Sequence, residues 1–164
     1  MIASILFTAC STAPTVTTET TFVGRLVDAG GAALPDVEIN SIEGKYRTDG
    51  DGRFAVPVQP PSNLVHFVLD GVYYQRIRTD LDLDTAVEVM LPARQPRTLT
   101  CPPVDCDVAL TWRFGAALSA KLIPECTPDA AVELGSVPTA PPRVSCRVGR
   151  GPGAVDHPMK IEAG

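Results

Sequence analysis

Thr48-Asp49-Gly50-Asp51-Gly52-Arg53-Phe54 sets two aspartates and two glycines between alternating apolar runs, the strongest hairpin signature in this chain. A strand points successive side chains to opposite faces, so a half-buried strand shows an apolar period of two. Downstream, Phe54, Val56 and Val58 keep that period. Upstream, Lys45 to Thr48 reads as a short strand entered through a turn at Glu43-Gly44. Before it, Val37 and Ile39 alternate with Asp36, Glu38 and Asn40. Further back, Phe22, Gly24 and Leu26 share one face and Arg25 takes the other. Asp28-Ala29-Gly30-Gly31 then supplies turn chemistry, because Gly takes positive φ freely and Asp bonds its own following backbone.

Pro60-Pro61-Ser62-Asn63 breaks the run, since proline cannot donate to a ladder. Leu64 to Leu69 and Val72 to Thr79 flank Asp70-Gly71 as another hairpin, and Val87, Val89 and Leu91 make a closing strand ending at Pro92. Seven short strands at this spacing predict an all-β antiparallel sandwich over 22–92. These residues resemble the carboxypeptidase regulatory-like domain, a prealbumin-like (transthyretin-like) seven-stranded β-sandwich. The resemblance is carried by Gly24, Asp28, Gly31, Leu34, Val37 and Ile39, by Thr48, Asp49, Gly52 and Phe54, by Gly71 with Tyr73, and by Val87-Glu88-Val89-Met90-Leu91. The family has a glycine where Asp36 stands and an aromatic where Val72 stands. The resemblance implies a non-catalytic module of the kind appended to peptidases, receptors and surface proteins; fold alone assigns no function.

The formal charge of -5 is unevenly placed, net negative over 1–92 and close to balanced over 93–164. Nucleic-acid binding through a basic stripe is disfavoured, because phosphate neutralisation needs clustered Lys and Arg. Aromatic residues are only 5% of the chain, which counts against broad stacking platforms.

Met1 to Ala9 is apolar and small, and Phe7-Thr8-Ala9-Cys10-Ser11 resembles the lipobox of bacterial lipoproteins, where the cysteine is cut free and acylated. No Lys or Arg precedes Cys10, and secretory signals start basic; the reading therefore expects a start upstream. Residues 1–10 are read as a signal remnant ending at the lipidated Cys10, and 11–21, rich in Ser, Thr and Pro, as a tether. Extended at roughly 3.3 Å per residue, that tether reaches about 35 Å from a membrane. In the lipoprotein resemblance, Ser11 after the cysteine goes with outer-membrane sorting; secretion is the alternative.

Cysteine parity supports this address. Five cysteines are odd, but setting Cys10 aside leaves Cys101, Cys106, Cys126 and Cys146 as two pairs in an oxidising compartment. Three connectivities are open. Zinc would want closely paired thiolates, which this spacing lacks. Beyond Pro92 the chain becomes rich in Pro, Arg and Cys. Strands are expected at Val108 to Phe114 and Ala117 to Ile123, around Gly115-Ala116, and at Arg143 to Val148. Residues 93–148 are thus a small disulfide-stapled β-rich extension, and 149–164 a frayed, flexible tail.

For chemistry, Asp49 and Asp51 suggest a calcium loop only superficially, since the twelfth position from Asp49 is Pro60 rather than Glu. Asp80, Asp82 and Asp84 would face one way in an extended segment and form a candidate calcium site, with a solvated loop the simpler reading. His66 and His157 sit in no zinc-binding or general-base arrangement. The hydrolase branch of the transthyretin family uses clustered His and Arg and a carboxy-terminal Tyr-Arg-Gly-Ser motif, and both are missing. No catalytic residue or cofactor is assigned. Tyr73, Tyr74, Arg76 and Arg78 are the candidate recognition surface, with one Tyr packed in the core beside Ile77 and the other exposed beside the arginines. The functional expectation is a non-enzymatic, lipid-anchored envelope module with a structural or protein-binding role and an envelope protein as partner. A carbohydrate-binding module is the alternative, which needs an exposed aromatic, and a small hydrolase comes third.

Overall fold

In the computed structural model the residues described are 20–58, 64–77, 86–149 and 155–159. Cys10, expected to carry lipid, Arg78 and the carboxylates Asp80, Asp82 and Asp84 lie outside them. Every regular element among the described residues is a strand: β1 Thr20–Val27, β2 Glu38–Ser41, β3 Gly44–Arg47, β4 Arg53–Val58, β5 Leu64–Leu69, β6 Val72–Ile77, β7 Val87–Met90, β8 Arg94–Thr100, β9 Asp107–Phe114, β10 Leu118–Leu122, β11 Ala131–Pro138, β12 Arg143–Val148 and β13 Val155–Met159.

One long sheet has the order β13-β12-β9-β10-β6-β5-β2-β3, and the smaller sheets β4-β1-β7 and β11-β8 complete a sandwich around it. Pairing is antiparallel except between β1 and β7, which run parallel from Gly24 opposite Val87 to Val27 opposite Met90. A single apolar core joins all three sheets. It runs from Phe22, Phe54 and Phe67 at one end, through Tyr74 and Ala120, to Leu99, Trp112, Val137 and Val144 at the other. The rings of Phe22 and Phe54 lie 5.3 Å apart, as do those of Phe54 and Phe67, in the tilted and edge-on geometries that aromatic quadrupoles favour.

After residue 92, β9, β10, β12 and β13 continue the long sheet, while β8 and β11 form the two-stranded one. β10 pairs with β6, setting Ala120 opposite Tyr74 and Lys121 opposite Tyr73. The two disulfides are Cys101–Cys126 and Cys106–Cys146. The first ties the end of β8 to the segment after β10; the second ties the entry of β9 to β12. Residues 155–159, expected to be a frayed tail, form β13 and pair with β12.

Two expected hairpins are instead corners between layers. β1 and β4 belong to the short sheet while β2 and β3 belong to the long one, so Asp28–Gly31 and Asp49–Gly52 each carry the chain across the sandwich. The turn chemistry is as expected. Oδ1 of Asp28 accepts from the amides of Gly30 at 2.8 Å and Ala32 at 2.9 Å, and Oδ1 of Asp49 accepts from those of Asp51 at 3.0 Å and Arg53 at 2.7 Å. What sends the strands apart is Thr48. Its buried Oγ1 accepts from the Val37 amide at 2.9 Å and donates to the Leu34 carbonyl at 2.7 Å, tying the corner together. Thr48→Val should cost about 2–4 kcal/mol, because it strands a buried donor and a buried acceptor, while Thr48→Ser should cost far less. Denaturant unfolding of the two variants checks this.

Asp36, where the resembled family has glycine, adopts φ 56°, a left-handed conformation that Asp tolerates better than most residues. Its carboxylate accepts from Nη1 of Arg47 at 2.7 Å. Pro57 and Pro96 lie on β4 and β8, both edge strands, where a missing amide donor breaks no ladder.

Candidate functional site

Alternation in the long sheet sorts its side chains into a core face and an outward face. Ile39, Phe67, Tyr74, Ala120, Trp112 and Val144 are buried on the inner side. Their neighbours in sequence point outward, and antiparallel register lines them up across strands. Asn40 stands opposite His66, His66 opposite Gln75, Gln75 opposite Ser119, and Ser119 opposite Arg113. With neighbouring strands about 4.8 Å apart, this row of five residues spans about 19 Å. A second row runs beside it from Glu38 through Val68, Tyr73, Lys121 and Thr111 to Arg143.

The face is a trough with several depressions. One, of about 410 Å³, is lined by Asn40, His66, Tyr73, Gln75, Lys121 and Ile123 among others. The next, of about 710 Å³, continues from Gln75 and Ser119 over Thr111, Arg113 and Arg143. Tyr73 and Ile123 give it apolar walls, 52% and 61% exposed. At the β2–β3 edge the Glu38 carboxylate accepts from Nζ of Lys45 at 3.1 Å and Nδ2 of Asn40 at 3.0 Å. Those two hydrogen bonds hold its pKa below the usual carboxylate value and fix the Asn40 amide.

The exposed Tyr and Arg76, expected side by side, stand at opposite parities of β6. Tyr73 is exposed, but Tyr74 is fully buried, and Arg76 shares the parity of Tyr74 rather than that of Tyr73. Ile77, expected in the core, is 43% exposed on the side of Tyr73. Val72 and Tyr74 are the inward pair of β6.

Tyr74 is unusual for a different reason: its buried hydroxyl has no hydrogen-bond partner. Burial pushes its pKa up to about 12, with the Asp70 charge adding to the shift. Arg94, paired with Asp70 at 2.8 Å, opposes it in part through its charge and its approach to the hydroxyl. A pKa raised on folding stabilises the native state fully below the unfolded value of about 10, and that contribution is lost as pH rises through the folded value. The phenolate absorbance of Tyr74 should therefore appear only near pH 12, with stability falling between about pH 10 and 12. Tyr74→Phe should abolish the late step and leave stability unchanged or about 1 kcal/mol higher, since no hydrogen bond is lost.

Among the described residues no group of three His, Cys, Asp or Glu side chains is placed to hold a metal ion. The carboxylate of Asp49 is engaged within its own turn. On the trough, His66 and Ser119 stand two strands apart with Gln75 between them, about 9.6 Å at the backbone, which is beyond the reach of a nucleophile–base hydrogen bond. The arrangement offers amide, imidazole, hydroxyl and cationic groups for binding. No family model, curated protein or solved structure matches the chain.

Lys121, Arg113 and Arg143 had not stood out in the sequence. Their only signal is cross-strand register, and β6 and β10 are separated by some forty residues that the alternation pattern cannot bridge.

Proposed function

We propose that the chain is a non-catalytic binding module of the cell envelope, of the carboxypeptidase regulatory-like type, carried to the membrane by acylation of Cys10. The observation that carries this reading is cysteine accounting: Cys101, Cys106, Cys126 and Cys146 are all consumed in two disulfides, leaving Cys10 as the unpaired cysteine of the five. Disulfides persist in oxidising compartments, and an odd cysteine beside a small-residue stretch at the amino end fits an acylated one. An outer-membrane lipoprotein is the form this takes, with the sandwich held off the membrane by the Ser/Thr/Pro-rich segment. Seven strands over 20–90, the number the resemblance implies, support the family reading. A long polar sheet face carrying amide, imidazole, hydroxyl and cationic side chains supports a binding role, with a structural role or an envelope protein partner the first assignment.

Metabolic labelling with palmitate, followed by fractionation, tests the anchor. The label is expected in the membrane fraction and is lost in Cys10→Ala. A mature protein that retains Met1, or an unlabelled one, overturns the reading.

A further inference from the structure

Among the described residues, cations gather on one part of the trough without acids paired to them. Lys121 on β10 and Arg143 on β12 both stand opposite Thr111 of β9, and Arg113 lies two residues along β9 on the same side. Two strand spacings separate Lys121 from Arg143, and two residues of rise separate Arg113 from Thr111, so the three mark a triangle about 10 Å across. None of the three has an ion-pair partner among the described residues. In contrast, the arginines and the lysine of the short sheet and the β3 edge are paired: Arg25 with Glu88, Lys45 with Glu38, Arg47 with Asp36, and Arg53 with Asp51. In a chain of net charge -5, a local unpaired trio selects for anionic groups, and two guanidinium forks suit planar carboxylates or sulfates.

The rest of the trough says what carries those anions. Leading away from the triangle are Ser119, Gln75, His66 and Asn40, polar groups that supply both donors and acceptors, with the half-exposed ring of Tyr73 beside them. A partner rich in hydroxyls uses such mixed donors and acceptors, and the apolar face of a sugar ring can lie on Tyr73, whose body is apolar and whose tip is wet. A bound peptide strand would add to a sheet edge through its backbone; here the recognition groups are side chains in mid-sheet. We propose that this face binds an acidic glycan chain, with Lys121, Arg113 and Arg143 holding its anionic groups and Gln75, His66, Asn40 and Tyr73 holding successive sugar rings. The proposal rests on the binding-module reading and makes the glycan its ligand; it does not depend on acylation of Cys10.

Affinity electrophoresis of the full chain in gels containing polygalacturonate, its methyl ester, or polyglutamate tests it. Polygalacturonate is expected to retard the chain, the neutral ester much less. Lys121→Ala, Arg113→Ala and Arg143→Ala combined should weaken retardation about tenfold or more, with Tyr73→Ala weakening it separately. Arg25→Ala with Arg53→Ala, on the opposite sheet, should change nothing, and circular dichroism verifies the fold of each variant. Equal retardation by polyglutamate, unaffected by Tyr73→Ala, would show a merely cationic surface and overturn the glycan assignment. No retardation by polygalacturonate also overturns it, while the palmitate result on Cys10 decides the envelope reading separately.

Discussion

Replacing Cys106 and Cys146 together by alanine is expected to destabilise the chain by about 4 kcal/mol, and the same change at Cys101 and Cys126 by about 3.5 kcal/mol. The magnitudes follow from the loops closed, whose ends are 40 and 25 residues apart in sequence. A bridge removes conformations from the unfolded chain, and the longer loop removes more. Against a typical domain stability of about 5–15 kcal/mol, either loss is large. Urea unfolding followed by fluorescence of Trp112, the single tryptophan, gives the readout. Trp112 is buried and donates its indole N–H to the Ala140 carbonyl at 2.9 Å, so its emission reports the extension directly. A loss under about 1 kcal/mol in both double variants would mean the bridges are not formed in the folded chain.

Gly52→Ala should cost about 4 kcal/mol, through two effects that add. Gly52 sits at φ 74°, where an L side chain costs about 1–2 kcal/mol. A Cβ there would also lie 2.5 Å from the carbonyl oxygen of Leu26 and 3.1 Å from the amide nitrogen of Leu34, both backbone atoms that cannot swing aside. Relief requires moving β1, and with it the Leu26 amide that donates to the Gly52 carbonyl at 2.8 Å. Gly31 is the matched control. It has φ 83° but open space around the missing Cβ, so Gly31→Ala should carry only the conformational cost. Equal melting temperatures for the two variants would contradict this account of the corner.

The strands of 20–90 were legible because each alternates, and each boundary carries Gly, Asp or Pro. Their assignment to sheets was not. Asp49-Gly50-Asp51-Gly52 has hairpin composition, yet Thr48 and Gly52 bind Leu34, Val37 and Leu26 in a way no local pattern encodes. β8 was hidden by Pro96, although an edge strand tolerates it. In β11 the register shifts between Glu133 and Ser136, so buried Leu134 and Val137 are three apart and the period of two fails. The choice between disulfide connectivities needed the spatial meeting of Cys106 with β12.

The same holds for the candidate site. Tyr73 and Tyr74 are split across the sheet as alternation requires, but Arg76 has the parity of Tyr74 rather than that of Tyr73. Tyr73's actual neighbours, Gln75 and Lys121, include one that arrives only through the β6–β10 pairing. That pairing both fuses the two halves of the chain and assembles the trough.

Nuclear magnetic resonance of the oxidised chain tests it most directly, through cross-strand Overhauser contacts between backbone protons of β6 and β10. The account predicts contacts that set Tyr74 beside Ala120 and Tyr73 beside Lys121, with one correlation time for residues on both strands. Absence of those contacts, with the segments before and after residue 92 tumbling independently, would contradict it.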